Sequence, residues 1–231
     1  MKPEGIMIFA AGRGTRMGAL TTHVPKPLIQ VSGRPLIDHA LDLVRDAGIS
    51  EVVVNTHTHA DQLHSHLSAT DPNIKISHET ELLDTGGGLK NAAVLFGGEC
   101  VYTLNADMVW RNGNPLETLA AAWNDEEMDA LLCLLPREKA TGHKSPGDFF
   151  LEPDGRITRR GDAEHADYIY CGAQIIRLSV LDGFEPGVFS LNAVWEHLIE
   201  RGRLKAVVHY GNWVDVGTPE GIGLAELEIA R

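Results

Sequence analysis

The residues best suited to chemistry stand in a glycine-rich segment near the amino terminus. That segment follows the short apolar run Ile6–Ala10 and consists of Ala11, Gly12, Arg13, Gly14, Thr15 and Arg16. Its glycines let backbone N–H groups approach an anion, and its two arginines add positive charge. A P-loop would end in Gly-Lys-Ser/Thr, and a dinucleotide fingerprint would have a small residue where Met17 stands. The segment therefore predicts an anion-binding loop of neither type, with a plain strand-to-helix connection as the alternative.

A second cationic signal comes ten residues after Arg16, where Pro25 and Pro27 flank Lys26. Proline fixes its own backbone and restricts the residue before it, so this spacing predicts an extended chain that aims one lysine.

Two aspartates follow predicted strands. Asp107 comes after the apolar run Val101–Leu104, and Asp215 comes after Trp213-Val214. Open α/β sheets bind ligands at the carboxyl ends of their strands, and magnesium prefers carboxylate oxygens together with substrate phosphates. Taken singly, either aspartate could instead cap a helix or lie in a solvated turn.

The elements that position these residues alternate between short apolar runs and segments of helical period, which predicts an α/β fold. The pattern predicts helices over Pro35–Ala47, 61–69, 86–96 and 191–201, with others beginning at Asn114 and Pro219. It predicts strands over Ile6–Ala10, 52–54, 74–77, 101–104, 130–135, 149–151, 168–176 and 206–210. We expect one domain over residues 1–231, in which the polar stretch of about 136–167 is an insertion at an edge of the sheet.

Composition narrows the class of protein. The 231 residues include 20 basic and 32 acidic ones, a formal charge of −12. This balance argues against a nucleic-acid or polybasic membrane binder. The chain has no apolar run long enough to span a membrane, and its first apolar stretch is too short for a signal peptide, so we expect a cytoplasmic protein. Cys100, Cys133 and Cys171 form no metal-binding or disulfide pattern and are expected to be reduced.

Five motifs occur together in an informative order. They are F-A-A-G-R-G-T-R-M (Phe9–Met17), P-K-P-L (Pro25–Leu28), L-L-D-T-G-G-G-L (Leu82–Leu89), N-A-D (Asn105–Asp107) and W-V-D-V-G-T-P-E (Trp213–Glu220). This combination resembles the signature of the sugar-1-phosphate nucleotidyltransferases over essentially the whole chain. Among them it is most similar to short members such as the N-acetylmuramate-1-phosphate uridylyltransferases of cell-wall recycling.

The resemblance implies a Rossmann-like, GT-A-like fold with a mixed, mostly parallel sheet flanked by helices and a small sugar-side insertion. It implies Mg²⁺-dependent transfer of a nucleoside monophosphate from an NTP, expected to be UTP, to a sugar 1-phosphate such as N-acetylmuramate 1-phosphate. The reaction would release pyrophosphate and form a nucleotide sugar. The partners would be those two substrates, without nucleic acid or membrane, and the protein would be a monomer or homodimer.

Site residues carried over by the resemblance fall into four sets. The catalytic set is Arg16, Lys26 and Asp107, and the metal ligands are Asp107 and Asp215. The nucleotide set is Ala11, Gly12, Arg13, Gly14, Thr15, Glu81, Thr85 and Gly86. Within it, Gly86–Gly88 would leave bare backbone against which a flat base can lie. The sugar set is Asn105, Gly147, Asp148 and Gly172.

Alternatives stay open within and outside this family. Acceptor and base could be mannose 1-phosphate with GTP, glucose 1-phosphate with dTTP or UTP, or phosphocholine with CTP, and a non-catalytic nucleotide-sensing module is another class. The sequence departs from many members at Ala19, where proline is common, and at Arg159–Asp162, where Glu-Lys-Pro is common near the sugar. A zinc site is a further hypothesis, since His57, His59, His64 and His66 lie within ten residues.

Overall fold

One large sheet runs through the molecule, and the first strand of the chain lies inside it, between two other strands. The computed structural model describes residues 2–231. Its strands are β1 (Gly5–Phe9), β2 (Gln30–Val31), β3 (Arg34–Pro35), β4 (Glu51–Thr56), β5 (Lys75–His78), β6 (Cys100–Asn105), β7 (Met108–Arg111), β8 (Ala130–Pro136), β9 (Ala140–Thr141), β10 (Phe149–Leu151), β11 (Ile157–Arg159), β12 (Tyr168–Arg177), β13 (Leu204–Val208) and β14 (Asn212–Asp215). Its α-helices are α1 (Leu36–Asp46), α2 (Ala60–Thr70), α3 (Asp84–Ala92), α4 (Pro115–Ala122), α5 (Leu191–Glu200) and α6 (Pro219–Ile229).

The main sheet is mixed and mostly parallel, as the sequence predicts. Strands β6, β1, β4 and β5 lie side by side in one direction, and β12 runs antiparallel to β6. One edge of β12 pairs with β8, which pairs in parallel with β13. The other edge pairs with β6 from Ala173 onward and with β10 at Tyr168. Strands β6 and β10 therefore diverge along β12 and leave a gap over residues 169–172.

Helix boundaries follow local signals in the sequence. Helix α1 buries Leu36, Ile37, Ala40, Leu41 and Val44, which is the apolar stripe expected of an amphipathic helix. Asn114 caps α4, since its Oδ1 accepts the N–H of Leu116 at 2.9 Å, as its position before a proline predicts.

Several local predictions need correction. Residues Lys26–Leu28 form a short 3₁₀ turn, and only Pro25 before it is extended, so the lysine is aimed by a turn. Helix α3 starts earlier than predicted, and residues 93–95 form a separate 3₁₀ turn. The stretch 136–167 contributes three strands in place of one, of which β10 and β11 extend the main sheet and β9 joins a second one.

That second sheet is small, with β14 between β7 and β9. Its β7–β14 ladder pairs Met108 with Asp215, so the sheet brings the chain after Asp107 alongside Asp215. Within residues 2–231 no helix combines the length and apolar character that crossing a bilayer requires.

Candidate active site

A cleft opens at the carboxyl ends of β1 and β6, where ligands bind in open α/β sheets. It has two halves of about 440 Å³ and 340 Å³, and both are lined by Phe9, Asp84, Thr85 and Asn105. We call the larger half, which also contacts Ala10–Gly12, Lys26 and Asp107, the loop half. The smaller half also contacts Asp148, Tyr170 and the start of α5, and we call it the insertion half.

The glycine-rich segment enters the cleft with its first residues. Ala11 and Gly12 line the loop half, whereas Arg13, Gly14 and Thr15 continue beyond the cavity wall. Gly14 has φ +63° and precedes the 3₁₀ segment Thr15–Thr21. A Cβ on Gly14 would lie 3.0 Å from the Lys26 Cβ, so this glycine lets the loop pack directly on the lysine turn.

Lys26 and Asp107 meet at the wall of the loop half. The Nζ of Lys26 lies 2.5 Å from Oδ2 of Asp107, and the two side chains are 11% and 24% exposed. A lysine so nearly buried requires a charged partner, and Asp107 supplies it. The wall of the loop half thus has one cation, Lys26, that could contact an entering phosphate. It also has one carboxylate, Asp107, that could contact an entering cation.

Asp215 is nearly buried and lies outside the lining of the cleft. Its Oδ2 lies 3.3 Å from Nδ1 of His143, and its buried Oδ1 has no hydrogen-bond partner within the described chain. A Cβ on Gly217 would lie 2.7 Å from that Oδ1 and 2.8 Å from a terminal nitrogen of Arg16. Glycine at position 217 therefore allows Asp215 and the exposed Arg16 to approach the same point.

The backbone joins the two aspartates. The N–H of Val216 donates to the carbonyl of Asp107 at 3.0 Å, at the end of the β7–β14 ladder. Of the predicted catalytic and metal residues, Lys26 and Asp107 line the cleft, whereas Asp215 and Arg16 lie outside its lining. The Val216–Asp107 bond and Gly217 connect the two pairs.

A buried Asn55–Glu79 pair also lines the loop half and was missed by the sequence analysis. Asn55 accepts the N–H of Ala10 at 2.7 Å and donates to Glu79 at 2.7 Å. Glu79 also accepts the N–H of Leu83 at 2.9 Å. This chain of bonds ties the end of β1 to the loop before α3. The available signal was Asn55 itself, a polar residue at the end of the apolar strand Val52–Val54, as Asp107 is in its own strand.

The start of α3 differs from its predicted role. Thr85 lines both halves of the cleft, but Glu81 is exposed and outside the cavity lining. The space beside Gly86–Gly88 is filled by the protein, because Cβ atoms there would lie 2.5 Å from the Phe189 ring, 2.1 Å from the Gly187 carbonyl and 2.7 Å from Glu79. These glycines allow close helix packing, and the expectation that they leave bare backbone for a flat ring is wrong.

The predicted sugar residues surround the gap between β6 and β10. Asn105 and Asp148 line the insertion half, and Asp148 Oδ2 accepts the N–H of Tyr170 at 2.9 Å. Gly172 has φ +87° at the irregular point of β12, where a Cβ would lie 3.0 Å from the Asn105 amide. Gly147 has φ +101° and contacts the Ala166 backbone, so it shapes the loop that carries Asp148. Burial raises the pKa of the Tyr170 phenol well above its usual range, so that group is neutral.

Three of the four clustered histidines bond separate partners, and the fourth, His59, is the residue before α2, with φ +52°. His57 bonds the Glu79 carbonyl, His64 the Thr56 hydroxyl and His66 the Asp38 carboxylate. In the part of the chain that the structure describes, no three His, Cys, Asp or Glu side chains are grouped so that they could hold a metal ion.

Comparison with known proteins shows the family of the chain. The MobA-like NTP transferase domain matches residues 6–146, which is more than half of the chain. The chain belongs to the MobA-like NTP transferase family. It is 38% identical to the N-acetylmuramate alpha-1-phosphate uridylyltransferase of Caulobacter vibrioides, over 99% of this chain and 98% of that protein. The Neisseria meningitidis protein of the same description is 34% identical over 92% of each chain.

A solved structure supports the fold of the transferase independently. The inositol-1-phosphate CTP transferase of T. maritima superposes with a TM-score of 0.79 at 16% identity, over 98% of this chain and 95% of that one. At that identity the likeness bears on the fold alone. The family match and the two curated relatives identify the chain as an enzyme, a sugar-1-phosphate nucleotidyltransferase.

Proposed function

We propose that the transferase moves UMP from UTP to N-acetylmuramate 1-phosphate, releasing pyrophosphate. The observation that carries the proposal is the two-part cleft, whose loop half has the glycine-rich loop and Lys26 and whose insertion half has the polar groups Asn105 and Asp148. The choice of base and sugar draws on the two N-acetylmuramate uridylyltransferase relatives, which match along almost the whole chain.

In this proposal the triphosphate lies in the loop half. Backbone N–H groups around Ala11 and Gly12 bind its oxygens, and Arg16 neutralises the departing pyrophosphate. Lys26 attracts the phosphate at the reacting centre, balanced by Asp107 at 2.5 Å. Both substrates are polyanions, so positioning and charge neutralisation lower the barrier most. The acceptor phosphate is ionised at neutral pH, so its oxygen attacks the α-phosphorus without a general base.

Asp107 and Asp215 have the donor set that a magnesium ion requires. Asp215 Oδ1 is buried without a hydrogen-bond partner among residues 2–231, and the Asp107 carbonyl accepts the N–H of Val216, the residue after Asp215. Mg²⁺ commonly takes one or two carboxylates and completes its shell with phosphates and water. When bound, the ion would neutralise charge that develops on the phosphates. These two aspartates would hold it, and Asp215 would be kept in place by His143 and Gly217.

A substrate panel tests the proposal most directly. Pyrophosphate release is measured for UTP, GTP, CTP and dTTP against N-acetylmuramate, N-acetylglucosamine, mannose and glucose 1-phosphates, with and without Mg²⁺. UTP with N-acetylmuramate 1-phosphate is expected to give the highest kcat/KM. A clear preference for GTP with mannose 1-phosphate would contradict the proposed substrates, and no transfer with any pair would contradict the assigned reaction.

Asp215→Asn provides the matching variant. It removes the negative charge of this carboxylate with little change in shape, so we expect kcat to fall at least about 100-fold. Mn²⁺ binding in the presence of UTP, followed by electron paramagnetic resonance, should weaken in parallel. The exposed Asp154→Asn is the control. Unchanged Mn²⁺ affinity in Asp215→Asn would remove Asp215 from the metal site.

A further inference from the structure

We propose that Arg159 binds a carboxylate on the acceptor sugar, at a distance from the phosphate that reacts. The inference rests on the proposed function, because it concerns the acceptor of that reaction. It gives a physical reason for the choice of an acidic sugar such as N-acetylmuramate, whose lactyl group ends in a carboxylate.

The position of Arg159 is the first observation. Among the described residues that line the insertion half, it is the sole cation. It ends β11, which pairs Arg159 with Phe149 at the outer edge of the main sheet. Lys26 lines the loop half instead. A sugar whose phosphate lies beside Lys26 would therefore extend toward Arg159.

Arg159 is held in a fixed orientation. Its guanidinium carbon lies 4.6 Å from the Phe149 ring centre and 5.5 Å from that of Trp195. Its Nη2 donates to Asn192 Oδ1 at 2.9 Å. Stacking on aromatic rings keeps an arginine charged and preorganised at low entropic cost. An arginine fixed in this way is suited to ligand recognition, because a charge that only faces solvent needs no such contacts.

One donor group of Arg159 remains for a ligand. Its Nε donates to Glu196 at 2.7 Å and its Nη2 to Asn192, while Nη1 has no hydrogen bond within residues 2–231. Glu196 is 56% exposed, so its screened charge offsets little of the arginine's field in the cavity.

The acidic groups of the insertion half do not compete for Arg159. Asp148 accepts hydrogen bonds from the Tyr170 N–H and the Ser145 hydroxyl, and Asp84 accepts one from the Thr85 N–H. Hydroxyl groups of a neutral sugar need only neutral or acidic partners of this kind. A stacked guanidinium whose Nη1 is free can donate to a carboxylate oxygen in a charge-assisted hydrogen bond.

The experiment compares two acceptors that differ in the carboxylate. Values of kcat/KM are measured with N-acetylmuramate 1-phosphate and with N-acetylglucosamine 1-phosphate, which lacks the lactyl group. Arg159→Gln should lower the first value at least about 10-fold while changing the second less than about 3-fold. Arg159→Lys keeps the charge and should retain part of the preference. The control is Arg156→Gln, since Arg156 pairs with Asp154 on an exposed turn outside the cleft.

A binding measurement separates recognition from folding. Calorimetric Kd values for UDP-N-acetylmuramate and UDP-N-acetylglucosamine should differ in the wild type and converge in Arg159→Gln. Parallel losses for both acceptors and both products would show that Arg159 only supports the fold, and would overturn the inference. A wild type that transfers UMP equally well to both acceptors would also overturn it. Failure to use any sugar phosphate would instead refute the proposed function.

Discussion

Gly217 lies where a side chain would collide with two residues of the candidate site. A Cβ there would lie within 3 Å of both Asp215 Oδ1 and the Arg16 guanidinium. Gly217→Ala should therefore move a proposed metal ligand or the arginine, and lower kcat about 10-fold to 100-fold with little loss of stability. The matched control is Gly223→Ala on α6, where nothing lies within 4 Å and alanine favours the helix.

Steady-state kinetics and thermal unfolding of both glycine variants check this prediction. Gly223→Ala should keep its activity and gain up to about 1 kcal/mol of stability. Full activity in Gly217→Ala would mean that Asp215 and Arg16 need no close approach.

Among the strands, Asp129 links β8, β12 and β13 at the end of the sheet away from the cleft. It stands directly before β8 and accepts hydrogen bonds from Arg203, before β13, and from Arg177, at the end of β12. Bonds from Arg203 hold the pKa of the Asp129 carboxyl below its ordinary value. Asp129→Asn should lower the free energy of unfolding by about 1–2 kcal/mol, since it removes charged hydrogen bonds that are partly screened.

Urea unfolding measures that loss, with Asp154→Asn as the control for an exposed ion pair. The control should change stability by less than about 0.5 kcal/mol. Equal effects from the two substitutions would show that the Asp129 cluster adds no more than a surface contact. Activity per folded molecule should be unchanged, because Asp129 does not line the cleft.

The elements also explain which parts of the molecule the sequence could predict. Strand β1 is a continuous apolar run, and helix α1 has an apolar stripe between Pro35 and Gly48, so the sequence predicts both to within one residue at each end. Strand β7 was missed, because it exists through pairing with β14 about a hundred residues later. Glu79 was missed for a similar reason, because its place in the cavity wall depends on a hydrogen bond from Asn55, which lies on a separate strand.

At the scale of the whole molecule, His209 makes stability depend on pH. Its Nδ1 contacts the Thr118 hydroxyl, and its buried Nε2 has no hydrogen-bond partner in the part of the chain that the structure describes. Burial lowers the pKa of the imidazole below its ordinary value of 6.5. The unfolded chain therefore binds a proton before the folded one does. Stability conferred by the neutral imidazole is complete above about pH 6.5 and is lost as the pH falls through that value toward the folded pKa.

Unfolding free energies between pH 7.5 and 5.5 check the His209 prediction. The wild type should lose up to about 1.4 kcal/mol for each unit by which its pKa is lowered. His209→Gln should show a flatter profile, even if it is less stable at every pH. His165→Gln, at an exposed position, is the control and should follow the wild-type slope.

The close packing of Gly86–Gly88 limits which substitutions the enzyme can accept beside the cleft. Side chains at these positions would collide with Phe189, Gly187 or Glu79, so mutation there should be poorly tolerated. Val188, by contrast, lines the loop half and is 65% exposed. Efforts to broaden the choice of nucleotide by directed evolution should therefore succeed through Val188 and the neighbouring Leu82, with the three glycines left unaltered.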